Sequence, residues 1–136
     1  MRFLDTNVFV RYLAGDDLQK SEACRRFWQQ VDAGEEMVTT TEVMIAEVCY
    51  VLSSRRLYNL THQEVAARLR PLLSLPGLKL VNKRRFLRAL DLYAGYDFLD
   101  FEDALAVAHM EGRGLTELVS YDQGFDSVPG ITRVEP

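Results

Sequence analysis

The chain has 136 residues, 48% of them hydrophobic and 26% charged, with a formal net charge of −4 at pH 7. That length favours a single domain, residues 1–136, with a real core, and the apolar content excludes intrinsic disorder. No apolar run approaches a membrane span and the N-terminus lacks a leader-like pattern, so the expectation is a cytoplasmic protein with no membrane partner.

The two cysteines, Cys24 and Cys49, show no metal-ligand spacing. Each falls in a helical apolar pattern, which points to packing. The acidic balance argues weakly against a nucleic-acid partner, but the basic residues are bunched. Lys83, Arg84, Arg85 and Arg88 form one cluster and Arg55-Arg56 another. A phosphate-binding surface can be local while the total charge is acidic. The competing reading of each cluster is a solvated helix face.

In chain order, Arg2 to Asp5 reads as a short buried strand. Thr6 to Ala14 reads as a helix that stops near Gly15, and Asp16 to Asp32 as a second helix ended by Gly34. Met37 to Thr40 is a second strand. Thr39-Thr40-Thr41-Glu42 has the capping-box spacing, so a helix begins about there and runs to about Ser54, with an apolar stripe of Met44, Val48, Val51 and Leu52 and with Glu47 on that stripe. Thr61 and Glu64 start a further helix, which ends before the turn signal Pro76-Gly77. Leu78 to Val81 is a third strand, Lys83 to Ala94 a helix, and Asp100 a cap before a helix reaching about Gly112. Leu118 to Tyr121 is a fourth strand ended by Asp122, and Pro129-Gly130 turns the chain into a last strand, Ile131 to Val134. Short apolar strands alternating with amphipathic helices predict an α/β fold. The expected form is a three-layer α/β/α sandwich around a mainly parallel sheet of four to five short strands.

Four carboxylates stand out by position. Asp5 and Asp122 follow strand carboxyl ends, where open α/β sheets place their functional crevice. Asp103 lies in the first turn of a helix, and a Glu on an apolar stripe, as Glu47 is read, is unusual unless paired or metal-bound. Brought together, the four would repel one another unless a cation lay between them. The expected site is therefore Asp5, Glu47, Asp103 and Asp122 around a hard divalent metal, serving phosphate chemistry. Thr6, Asn7 and Ser120 supply hydroxyl and amide groups that could orient these acids. Taken singly, Asp5 and Asp122 also read as turn residues, Asp103 as a helix-start acid, Glu47 as a residue at the edge of its stripe, and Thr6 or Asn7 as the N-cap of the following helix. His62 and His109 share no constellation with a nucleophile and read as surface or packing residues.

These features resemble the PIN-domain nucleases, in particular the VapC-type toxin ribonucleases of toxin–antitoxin pairs. The likeness is carried by Met1-Arg2-Phe3-Leu4-Asp5-Thr6-Asn7-Val8, Ile45-Ala46-Glu47-Val48, Phe101-Glu102-Asp103-Ala104-Leu105-Ala106-Val107-Ala108 and Ser120-Tyr121-Asp122-Gln123-Gly124-Phe125, in that order over the full chain. Ser120 stands where the family often has Thr. The resemblance implies catalytic and metal-binding roles for Asp5, Glu47 and Asp103, with Asp122 as a more variable fourth. It also implies one or two Mg²⁺ or Mn²⁺ ions, endonucleolytic RNA cleavage that blocks translation, a homodimer and a cognate antitoxin protein. Arg84, Arg85 and Arg88 are the candidate RNA-phosphate contacts.

Rival readings are weaker. A haloacid-dehalogenase-type phosphohydrolase would need a second Asp where Asn7 stands, and a phosphate-receiver domain a phosphoacceptor Asp in Leu78-Lys79-Leu80-Val81-Asn82. A non-catalytic module with the same fold would have no use for a repulsive cluster of acids.

Overall fold

The computed structural model describes residues 1–15 and 18–136. Strands and helices alternate as β1 (Arg2–Phe3), α1 (Thr6–Ala14), α2 (Leu18–Asp32), β2 (Val38–Thr39), α3 (Glu42–Ser53), α4 (His62–Leu73), β3 (Leu78–Lys79), α5 (Lys83–Gly95), α6 (Phe101–Gly112), β4 (Glu117–Val119) and β5 (Thr132–Val134). A 3-10 helix, Gln123–Ser127, separates the last two strands and has no counterpart in the sequence reading. The expected start of the second helix at Asp16 lies outside the described residues.

Every strand pairing among the described residues is parallel. Arg2 pairs with Val38, Val38 with Leu78, and Glu117 with Thr132. The α/β architecture and the strand directions are as expected, but the hydrogen bonding falls into two groups, β1-β2-β3 and β4-β5. Strands of two or three residues make few ladder bonds, so packing between helices carries much of the fold. The extended contacts are α5 on α6, α4 on α5, and α1 on both α2 and α3. No described helix is long and apolar enough to cross a membrane.

Local signals explain the boundaries. Gly15 adopts the left-handed conformation that ends α1, at φ 66°. Thr41 caps α3, and at the start of α4 the Thr61 hydroxyl accepts from the Glu64 amide while donating to its carboxylate. The Pro76-Gly77 turn has a steric requirement as well. A Cβ on residue 77 would press into the carbonyl oxygens of Val31 and Glu36, so only glycine lets β3 approach the end of α2 this closely.

One continuous apolar cluster fills the space between these elements. Trp28 is buried against Phe9, with ring centroids 5.1 Å apart, and Val38, Leu52, Leu69, Leu78 and Leu90 are fully enclosed. Both cysteines are free. Cys49 is buried in the core and Cys24 packs against it half-exposed, as the apolar patterns predict. The first strand departs from its reading as a buried element. Arg2 and Phe3 are exposed, and burial begins only at Leu4. Arg2, on a strand at one edge of its group, lies over the Phe27 ring while pairing with Glu36, and no described residue covers Phe3 as the core covers Leu78 on the opposite edge strand.

Candidate active site

Asp5 stands two residues past β1, as the N-cap residue of α1. Its backbone is extended and its side chain makes no capping bond, so the exposed carboxylate is not spent on the helix terminus. Thr6 follows, buried at 5% exposure, and its hydroxyl donates to Oε2 of Glu47 at 3.0 Å. Met44 Sδ lies 3.5 Å from the same hydroxyl. Asn7 is exposed on the first turn of α1.

Glu47 requires a correction. The sequence reading put it on a stripe with Met44, Val48, Val51 and Leu52. The buried face of α3 is instead Ile45, Ala46, Val48, Cys49 and Leu52, and Glu47 is exposed beside it, turned towards α1. Because α3 is apolar on most of its circumference, spacing alone cannot choose the inward face. What holds Glu47 is the Thr6 hydroxyl across the α1–α3 contact.

A second set of acids gathers at the start of α6. Asp100 is the N-cap, and its Oδ1 accepts from the Asp103 amide at 2.9 Å. Asp103, half-buried, lines a narrow crevice with Asp122, Phe98, Leu99, Gly124 and Phe125. Burial pushes the Asp103 carboxyl up to about 6 from its ordinary 3.8, and the neighbouring charges of Asp100 and Asp122 add to the shift. Asp122 follows β4 by three residues and caps the 3-10 helix, with Oδ1 accepting from the Gly124 amide at 2.9 Å. Ser120 fixes that turn: its hydroxyl accepts from the Asp122 amide at 3.0 Å, and its own amide donates to the Val134 carbonyl on β5. Phe125, buried, anchors the loop from the other side.

The sequence-predicted acids thus fall into two separate groups. Asp5 and Glu47 flank Thr6 where α1 meets α3, and Asp103 and Asp122 face each other where α6 begins. Helix α3 touches both α1 and α6. In donor chemistry the acids fit a hard divalent cation, since every candidate ligand is a carboxylate oxygen and Asp103 carries repulsion that a cation would relieve. In spacing, no three acidic, histidine or cysteine side chains among the described residues stand close enough together to hold a metal ion. Asp100 belongs to this constellation and was read from the sequence only as a cap. The available signal was its spacing from Asp103, which puts both acids on one side of the first turn.

The basic cluster is divided in function. Arg88 forks onto Glu111, with bonds of 2.7 and 2.9 Å, so its charge is compensated within the fold. Arg84 and Arg85 line the same groove, with Asn82 and Gly112, and form no ion pair among the described residues. His62 is a packing residue, stacked on Tyr93 with ring centroids 3.8 Å apart. His109 lines a groove with Val43, Arg85 and Leu105.

Comparison with known proteins bears on these observations. The PIN-domain family model matches residues 2–131. The chain is 30% identical to VapC ribonuclease Mb1869c of Mycobacterium bovis, over 98% of this chain and 99% of that protein, and equally to ribonuclease VapC13 of Mycobacterium tuberculosis. It also aligns end to end with the crystal structure of Mycobacterium tuberculosis VapC20, a sarcin–ricin loop cleaving toxin, at 18% identity and a TM-score of 0.41. A family match over nearly the whole length, together with full-length relatives at this identity, establishes that the chain belongs to the PIN-domain family, among its VapC-type members.

Proposed function

We propose that the chain is a metal-dependent endoribonuclease, the toxin of a toxin–antitoxin pair, acting as one PIN-like unit over residues 1–136. The observation that carries this reading is the crowding of Asp100, Asp103 and Asp122 at the start of α6, a helix packed on α3, whose Glu47 is held by the Thr6 hydroxyl. Carboxylates kept this close without a basic partner are suited to a site that takes up positive charge.

In this reading Asp5, Glu47, Asp103 and Asp122 hold one or two Mg²⁺ or Mn²⁺ ions. When bound, the metal supplies Lewis acidity and charge neutralisation for hydrolysis of an RNA phosphodiester bond. Thr6 positions Glu47 through its hydroxyl. Ser120 shapes the turn that presents Asp122, and Asp100 anchors the helix start that presents Asp103. Asn7, exposed one residue beyond Thr6, is available to substrate. Arg84 and Arg85 are the phosphate contacts, with Arg88 committed to Glu111. A cognate antitoxin and a homodimer complete the assignment, as expected from the family.

The test is RNA cleavage by the purified chain with Mg²⁺ or Mn²⁺, repeated with Asp5→Asn, Asp103→Asn and excess EDTA. Cleavage should vanish in all three while circular dichroism shows both variants folded. Undiminished cleavage in either folded variant, or in EDTA, refutes the assignment.

A further inference from the structure

Between α3, α4, α5 and the start of α6 lies a half-enclosed cavity of about 100 Å³. Its walls include Tyr50, Ser53, His62, Tyr93, Asp100 and Glu102. The volume suits one small planar group.

The polar atoms of this cavity are mostly acceptors. The Ser53 hydroxyl donates to the Cys49 carbonyl at 2.7 Å and is also hydrogen-bonded to the Tyr93 side chain, so this pair is satisfied within the fold. His62 Nδ1 lies 2.9 Å from the Tyr93 carbonyl oxygen. A carbonyl can only accept, so Nδ1 carries a proton, and the ring in its uncharged form keeps an acceptor at Nε2. Stacking on Tyr93 locks that ring in place. Asp100 and Glu102, when ionised, accept only, and Glu102 is exposed with no ion pair among the described residues. The matching occupant must present several N–H donors from a flat group. Tyr50, 71% exposed, offers an aromatic face on which such a group can stack.

We infer that this cavity receives one unpaired guanine of the RNA, with the guanine N1–H and N2 amino group donating to the Glu102 carboxylate. The inference rests on the ribonuclease reading above. Guanine is the base whose Watson–Crick edge carries two adjacent donors that a single carboxylate accepts together. Adenine and cytosine each set an amino donor beside a ring acceptor, and uracil sets one N–H between two carbonyls. Asp100 belongs both to the cavity wall and to the bond that presents Asp103, so a base seated here lies next to the acids. Glu102 and Tyr50 are then specificity-determining residues, and neither belongs to the proposed catalytic set.

The test combines NMR titration of the full chain with mapping of RNA ends cut by the same preparation. The probes are the four nucleoside 5′-monophosphates and arginine amide. Guanosine monophosphate should move the amide signals of Tyr50, Ser53 and Glu102 at concentrations on the order of tenfold below those the other nucleotides need. Glu102→Gln should abolish that preference, and Tyr50→Ala should weaken binding of every base. Cut RNA ends should carry guanine at one fixed position beside the broken bond, and lose it in Glu102→Gln. Equal responses to all four nucleotides, or a preference unchanged by Glu102→Gln, overturns the inference. Saturation by arginine amide with no response to guanosine monophosphate overturns it too, and assigns the cavity to a protein side chain. Cleavage without guanine preference removes the base pocket and leaves the ribonuclease standing. Guanosine monophosphate binding without any cleavage does the reverse.

Discussion

Thr6 and Glu47, 41 positions apart in the chain, are joined by a 3.0 Å hydrogen bond from the threonine hydroxyl to the glutamate carboxylate. The bond crosses the contact between α1 and α3. It turns a glutamate that the core does not bury into one with a fixed orientation, held by the residue that follows Asp5. Replacing Thr6 with Val keeps the shape of this buried side chain and deletes the hydroxyl. Loss of a residue that orients a metal-binding carboxylate typically costs 10- to 100-fold in activity or metal affinity. Thr6→Val should therefore lower cleavage by about that factor while thermal unfolding shifts little. Wild-type rates at limiting Mg²⁺ would show that Glu47 needs no such support.

Asp103 gives a pH dependence with a definite sign. Its folded-state pKa is raised to about 6 from 3.8, so the folded protein binds the proton more tightly than the unfolded chain does. Below about pH 4 both states hold the proton and no penalty exists. As pH rises towards 6 and beyond, the ionised carboxylate costs the folded state its full penalty. The metal-free protein should therefore lose stability between about pH 4 and pH 6, and the loss should level off above that range. Asp103→Asn should remove this dependence and raise stability at neutral pH by on the order of 1 kcal/mol, after allowance for solvent screening of a half-exposed group. Urea denaturation in EDTA at a series of pH values measures it. An Asn variant less stable than wild type at pH 8 contradicts the electrostatic account.

The arginines of the α5–α6 groove should separate by role. Neutralising Arg84 or Arg85 removes a charge with no ion-pair partner among the described residues. Each change should weaken RNA binding and reduce the slope of log affinity against log salt by roughly one. Arg88→Gln removes a charge already matched by Glu111. It should leave the slope unchanged and cost stability by only about 0.2–1 kcal/mol, the usual range for exposed pairs. Filter binding at several salt concentrations distinguishes the three, and a slope altered only by Arg88→Gln would reverse the assignment.

Trp28 supports the α1–α2 side of the scaffold. Its ring packs on Phe9, Tyr12 and Phe27, and its indole N–H is buried with no hydrogen-bond partner among the described residues. Trp28→Ala should cost about 3–5 kcal/mol through cavity formation. Trp28→Phe should cost clearly less, because the deleted N–H made no bond to lose. Equal losses in the two variants, measured by chemical denaturation, would mean that the N–H is satisfied in solution.

Much of this protein is written locally. Gly15 ends α1, Thr61 and Glu64 open α4, and Asp100 opens α6, because each acts through bonds to backbone groups within a few residues. The alternation of strand and helix, and the four segments that resemble the family, likewise need nothing beyond the chain itself. The inward face of α3 was not legible, because a helix apolar nearly all round has no preferred side until its neighbours dock. The exposure of Phe3 could not be read either, since it depends on which remote elements pack over each face of the sheet. Tertiary structure alone brought Thr6 to Glu47, faced Asp103 with Asp122, and gave Arg88 to Glu111. These are contacts between residues remote in the chain, and their geometry follows from how whole helices pack, which no short stretch of sequence encodes.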